Sequence, residues 1–92
     1  MVEGYEWDIR KAEANLAKHG VSFDRVELFD WDEALVEKDE RFPYDEPRYV
    51  AFGRIEARLH VLVFTVRHGT IRVIGLRKAN KRELKRYGEE KA

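Results

Sequence analysis

The period of apolar and polar positions changes several times along the chain, and each change marks an element. From Ile9 to His19 the spacing is helical, with Ile9, Ala12, Leu16 and His19 on one stripe. Asp8 stands where an N-cap belongs and Gly20 where a C-cap would end the helix. Lys11, Asn15 and Lys18 share the neighbouring arc, and Tyr5 to Trp7 reads as a short opening strand. Phe23, Val26 and Phe29 recur three apart. They predict a second, shorter helix ending near Asp30, capped by Ser22, with Val21 and Val26 as its hydrophobic staple.

The pattern then turns to β. Ala34-Leu35-Val36 is a first sheet strand, and Asp39 to Pro47, with two prolines and four acids, is a loop. Arg48–Ile55, Leu59–Arg67 and Thr70–Lys78 are three further strands. They are joined by a loose turn at Ile55 to Arg58 and a tight one at His68-Gly69. Residues 61–66 are almost wholly apolar, as in a strand covered on both faces. Asn80, with Glu83 three residues on, opens a closing helix through a capping box. Its only large apolar residues near one face are Leu84 and Tyr87, so its position depends on the strand before it or on a partner. The expected architecture is an α+β fold over residues 1–92 as one domain. Two N-terminal helices pack on an antiparallel sheet of three or four strands, followed by a C-terminal helix.

Composition sharpens this picture at one place. The chain of 92 residues has no net charge, yet residues 24–46 hold ten acids and three bases, while residues 48–86 hold eleven bases and two acids. Such segregation predicts a face that attracts a polyanion. The basic density peaks between Thr70 and Tyr87, with Arg72, Arg77, Lys78, Lys81, Arg82, Lys85 and Arg86 against Glu83 alone. There is no cysteine and no apolar run of membrane-spanning length, and the N-terminal residues do not read as a secretion signal. The expected location is the cytoplasm, with no membrane partner.

Several chemistries lack their residues. The three histidines and the acids show no metal-ligand spacing, the glycines form no phosphate loop, and Ser22, the single serine, is taken as a cap. No metal and no cofactor are expected. Cation chemistry remains. RNA can be cleaved without metal when its 2′-OH attacks the adjacent phosphate. The site then needs a proton acceptor, a proton donor, and cations around the phosphorane. Arginine suits the last role because its planar fork binds two phosphate oxygens at once. Arg77 is favoured because it abuts a helix N-terminus. In a regular strand Arg72 and Lys78 share one face with Ile74 and Leu76, and Arg77 lies on the other with Ile71, Val73 and Gly75. Gly75 is where a bulge or close backbone approach would change that.

Specific residues then match a known pattern. Trp7, Asp8, Lys11, Asn15, Lys18, His19 and Gly20 to Phe23, as WDxxK-xxx-N-xx-KHGVSF, resemble the opening of the BrnT toxin family. RYVAFG, VFTVRHGTIRVI and RKANKRE resemble its later blocks in the same order, so the resemblance spans roughly residues 5–87. It implies a RelE-like fold and an endoribonuclease toxin of a type II toxin–antitoxin pair. The implied partner is a ribbon-helix-helix, BrnA-like antitoxin, with DNA reached only through that antitoxin. The family's basic positions fall on Lys11, Arg67, Arg72, Arg77 and Lys78. Gly75 stands where family members usually carry serine.

The combined expectation puts Arg77 and Arg72 on the scissile phosphate and Lys11 and Lys78 on flanking phosphates. His19 or Tyr87 would transfer protons, with His19 ranked ahead of His60 and His68. Lys81, Arg82, Arg67 and Lys18 are further RNA contacts. The rival readings are a non-catalytic RNA-binding module and a subunit that only captures its antitoxin to co-repress an operon.

Overall fold

The computed structural model describes residues 4–92. A five-stranded mixed sheet comprises β1 (Gly4–Trp7), β2 (Leu35–Asp39), β3 (Arg48–Ile55), β4 (Arg58–Arg67) and β5 (Thr70–Lys78), in the spatial order β1-β5-β4-β3-β2. α1 (Ile9–His19) follows the first strand, and α2 (Lys81–Lys91) follows the last. Strands β2 to β5 are antiparallel neighbours. β1 pairs parallel to β5, with Tyr5 opposite Ile71 and Trp7 opposite Val73.

This corrects the expected fold in two ways. The sheet is neither three- or four-stranded nor purely antiparallel, because Gly4–Trp7 closes the far edge of β5. Nor are there two N-terminal α-helices, because Phe23–Leu28 is a six-residue 3-10 segment. The cause lies in the spacing. In a 3-10 helix side chains three apart eclipse, so Phe23, Val26 and Phe29 drop in one line into the core. Ser22 makes no side-chain capping bond.

α1 has the predicted bounds and caps. Asp8 Oδ1 accepts from the N–H groups of Arg10 and Lys11, and Gly20 takes the left-handed conformation at φ 71°. Its buried face is not the predicted stripe. Ile9 and Leu16 are 66% and 50% exposed, and Ala12 and Asn15 turn inward instead. Asn15 explains the rotation. β1 ends opposite Val73, which leaves the β5 edge beyond it without a strand partner. The Asn15 amide fills that role, donating from Nδ2 to the Leu76 carbonyl at 2.7 Å and accepting the Leu76 N–H at Oδ1 at 3.3 Å. Nδ2 also donates to the Val21 carbonyl at 3.1 Å.

The sheet separates two apolar layers. On its first face Ala51, Ile55, Leu62, Phe64, Ile71, Val73 and Leu76 pack under α1 and the 3-10 segment, against Val21, Phe23, Val26 and Phe29. Phe29 lies so close to β3 that a Cβ at Gly53 would sit 2.5 Å from its ring, so glycine is required there. On the second face α2 covers a smaller cluster of Phe52, Leu59, Val61, Ala79 and Tyr87. Tyr87 anchors the helix. It is 4% exposed, and its hydroxyl donates to the Glu33 carbonyl at 2.7 Å.

Candidate functional site

The part of the second face that this smaller cluster leaves uncovered carries arginines, and a β-bulge places them there. Opposite Val63 and Phe64, β5 presents Gly75 and Val73, so Ile74 is an extra residue in the ladder. The alternation of β5 reverses at that point. Ile71 and Val73 face the first core before the bulge, and Leu76 faces it after. Arg72, Gly75 and Arg77 consequently share the second face, in register with Thr65, Val63 and Val61. Four strand spacings of ~3.3 Å separate the two arginines by roughly 13 Å along β5.

Arg48, one residue before the Tyr49–Phe64 pair on β3, and Arg67, opposite Thr70, belong to the same face. Thr65 is buried beneath them and donates to the Pro47 carbonyl at 2.6 Å, which fixes the end of the acidic loop beside the arginines. On this face each arginine of β4 and β5 is held by a carboxylate. Arg67 grips Glu46 with two bonds, at 3.1 and 2.6 Å. Arg72 donates to Glu6 at 3.0 Å, and Arg77 forks onto Glu83 at 2.8 and 2.7 Å. The Arg48 guanidinium lies 4.3 Å above the Tyr44 ring.

These contacts set the protonation states. The hydrogen bond from Arg67 holds the Glu46 carboxyl below its usual range, and the charges of Arg67, Arg72 and Arg48 add to the effect. The Arg77 hydrogen bond likewise depresses Glu83, outweighing the burial that raises it. Glu83 serves twice, since Oε1 also accepts the Asn80 N–H at 2.9 Å in the capping box. Several acids of the acidic segment are paired with cations. Glu46 pairs with Arg67, Glu37 with Arg86, and Asp39 with Arg41 and the Tyr44 hydroxyl. The half-exposed Arg67–Glu46 pair contributes ~0.2–1 kcal/mol, so a phosphate that binds Arg67 can displace the carboxylate.

The predicted site residues do not form one cluster. Arg67, Arg72 and Arg77 come together on the second face. Lys81 and Arg82 sit exposed in the first turn of α2, which also holds Glu83. Lys11, Lys18 and His19 are exposed on α1, in the layer over the first face. Lys78 follows Arg77 and turns to that opposite face, and Tyr87 is enclosed by packing. Sequence reasoning passed over Arg48 and Glu46. The signal for Arg48 was its cation at the start of a strand, but only the register of β3 on β4 reveals its place. No helix among the described residues is long and apolar enough to cross a membrane.

The comparison with curated proteins gave no match. A family described as "Ribonuclease toxin, BrnT, of type II toxin-antitoxin system" matches residues 7–83, from the last residue of β1 to the glutamate that holds Arg77. The chain belongs to the BrnT family of ribonuclease toxins.

Proposed function

We propose that this chain cleaves RNA by attack of a 2′-OH on the neighbouring phosphate, with Arg72 and Arg77 stabilising the charge that develops there. The observation that carries this reading is the bulge at Ile74, which turns both arginines onto one open face. Arginine donors aimed at a phosphorane act most strongly where they are already held in place. Glu6 and Glu83 do the holding here, and each ion pair opens as a phosphate replaces its carboxylate. Arg67 and Arg48 extend the face along the strand, while Lys81 and Arg82 at the start of α2 take flanking phosphates. Glu83 and Glu46 are carboxylates on this face with lone pairs to accept the 2′-OH proton once their arginines turn to RNA; as the P–O5′ bond breaks, the carboxyl so formed or a water gives the leaving 5′-oxygen its proton.

Type II membership brings an antitoxin partner with it. We propose that this partner is of ribbon-helix-helix type and that the chain reaches DNA only through it. Purified protein incubated with a single-stranded RNA in EDTA should produce fragments ending in 2′,3′-cyclic phosphate. Intact RNA at every enzyme concentration, together with salt-sensitive binding, would replace this reading with a non-catalytic RNA-binding module. One observation favours that second reading. Gly75 lies between Arg72 and Arg77, so the hydroxyl that family members usually place there is missing.

A further inference from the structure

The first face of the sheet has a cationic site of a different construction. Lys78 lines a cavity of about 510 Å³ beside the end of α1, the 3-10 segment and the β3–β4 turn, together with Arg25, Arg58 and His60. Arg25 is paired with Glu56 at 2.7 Å. Neither Lys78 nor Arg58 has a carboxylate within ion-pair distance among the described residues. Arg58 is instead fixed by donation to the Ala79 carbonyl at 3.1 Å.

His60, opposite Lys78 in the ladder, is 3% exposed. Its Nδ1 lies 2.8 Å from the Arg58 carbonyl, which can only accept, so Nδ1 carries the proton and Nε2 a lone pair. Nε2 has no hydrogen-bond partner among the described residues, and His60 lines the cavity. Burial lowers the proton affinity of the ring against the pull of the Arg58 carbonyl, and Arg25, Arg58 and Lys78 lower it further. Glu56 is the one acid lining the cavity among the described residues, and Gly20, the C-cap of α1, closes one end.

We propose that this cavity is a phosphate site separate from the arginine face, taking a phosphate group either free or at the end of a nucleotide chain. Lys78, Arg58 and Arg25 supply the charge. The arriving anion draws a proton to His60 Nε2, which turns the ring from an acceptor into a donor. The cavity lies within the ~300–1,000 Å³ range of small-ligand clefts. Val21 and Ile55 give it an apolar wall against which a nucleoside can rest. The site does not depend on cleavage, so its failure and that of the ribonuclease reading are separately visible.

The test is an NMR titration of the ¹⁵N-labelled full chain at pH 6 and pH 8. The probes are inorganic phosphate, a 5′-phosphorylated dinucleotide and its 5′-hydroxyl counterpart. Expected are saturable shifts at His60, Arg58 and Lys78, with His60 Nε2 moving to its protonated position as phosphate binds. Lys78→Gln should weaken binding about tenfold, the scale of one lost charge-assisted bond. His60→Gln should remove the excess affinity of the wild type at pH 6. Tighter binding of the 5′-phosphorylated dinucleotide than of inorganic phosphate identifies a nucleotide end, and equal binding identifies free phosphate. Shifts confined to the Arg67 and Arg72 face, or unaltered binding in both Lys78→Gln and His60→Gln, would overturn the proposal.

Discussion

Arg77 and Lys78 are neighbours on β5, yet they belong to two cationic regions built on opposite principles. On the second face the arginines of β4 and β5 each hold a carboxylate drawn from a distant part of the chain, Glu46, Glu6 or Glu83. On the first face Lys78 and Arg58 surround a buried neutral histidine and hold no carboxylate among the described residues. Counting charges along the chain treats the two regions alike. The comparison teaches that a polyanion meets a preoccupied surface on one side, where it must exchange with internal acids, and on the other meets Lys78 and Arg58, which hold no internal acid among the described residues.

The largest effect should come from breaking the element that keeps the two faces in register. Asn15→Leu leaves the Leu76 N–H and carbonyl without a partner at the half-buried edge of β5. Each unsatisfied group costs ~1–3 kcal/mol, so urea unfolding should show a loss of about 2–4 kcal/mol. A loss below about 0.5 kcal/mol would mean that α1 and not its amide secures this edge.

Releasing an arginine should sharpen the contrast. Glu46→Gln frees Arg67 and removes the negative charge that Arg72 and Arg48 also feel. RNA affinity in low salt should rise about threefold, and the gain should fade as salt screens the exposed face. Equal affinity at all salt concentrations would show that Glu46 does not compete with RNA.

The first face should respond to pH. Because His60 binds its proton less readily than the usual 6.5, the unfolded chain holds more protons between that value and the lower folded one. Stability should therefore fall as pH drops from about 6.5 through the folded value and then level off. His60→Gln should flatten this part of a pH series of urea midpoints, and an unchanged slope would place the titration elsewhere.

The smallest effect is expected at Gly75. A Cβ there would meet nothing nearer than 3.9 Å, so Gly75→Ser should fold with stability within ~0.5 kcal/mol of wild type. If the added hydroxyl between Arg72 and Arg77 orients substrate, cleavage rises by a fewfold. An unchanged rate would leave the hydroxyl without a role here.

Much of the fold was legible because it rests on local rules. The caps of α1 and α2, the His68-Gly69 hairpin turn and the strands from Arg48 to Lys78 each follow from residues within a few positions. The 3-10 segment was legible in principle, since a strict spacing of three from Phe23 to Phe29 matches its period better than 3.6. The bulge too left a trace, because buried Ile71, Val73 and Leu76 fall out of step across Ile74 and Gly75. What stayed hidden is long-range. No local pattern tells that Gly4–Trp7 pairs parallel with β5 or that Glu6 meets Arg72 across 66 positions. Ile9 and Leu16 misled for a physical reason, since α1 is oriented by the polar grip of Asn15 and not by its most apolar stripe.

The central claim is that the bulge gathers Arg72 and Arg77 onto one face to stabilise the cleaved phosphate. Single-turnover cleavage of a defined RNA in EDTA, by the wild type, Arg72→Ala and Arg77→Ala, tests it most directly. Each variant should fold normally and lose cleavage about 100-fold or more, the scale of removing one donor from a developing oxyanion. Full activity in Arg77→Ala would contradict the account.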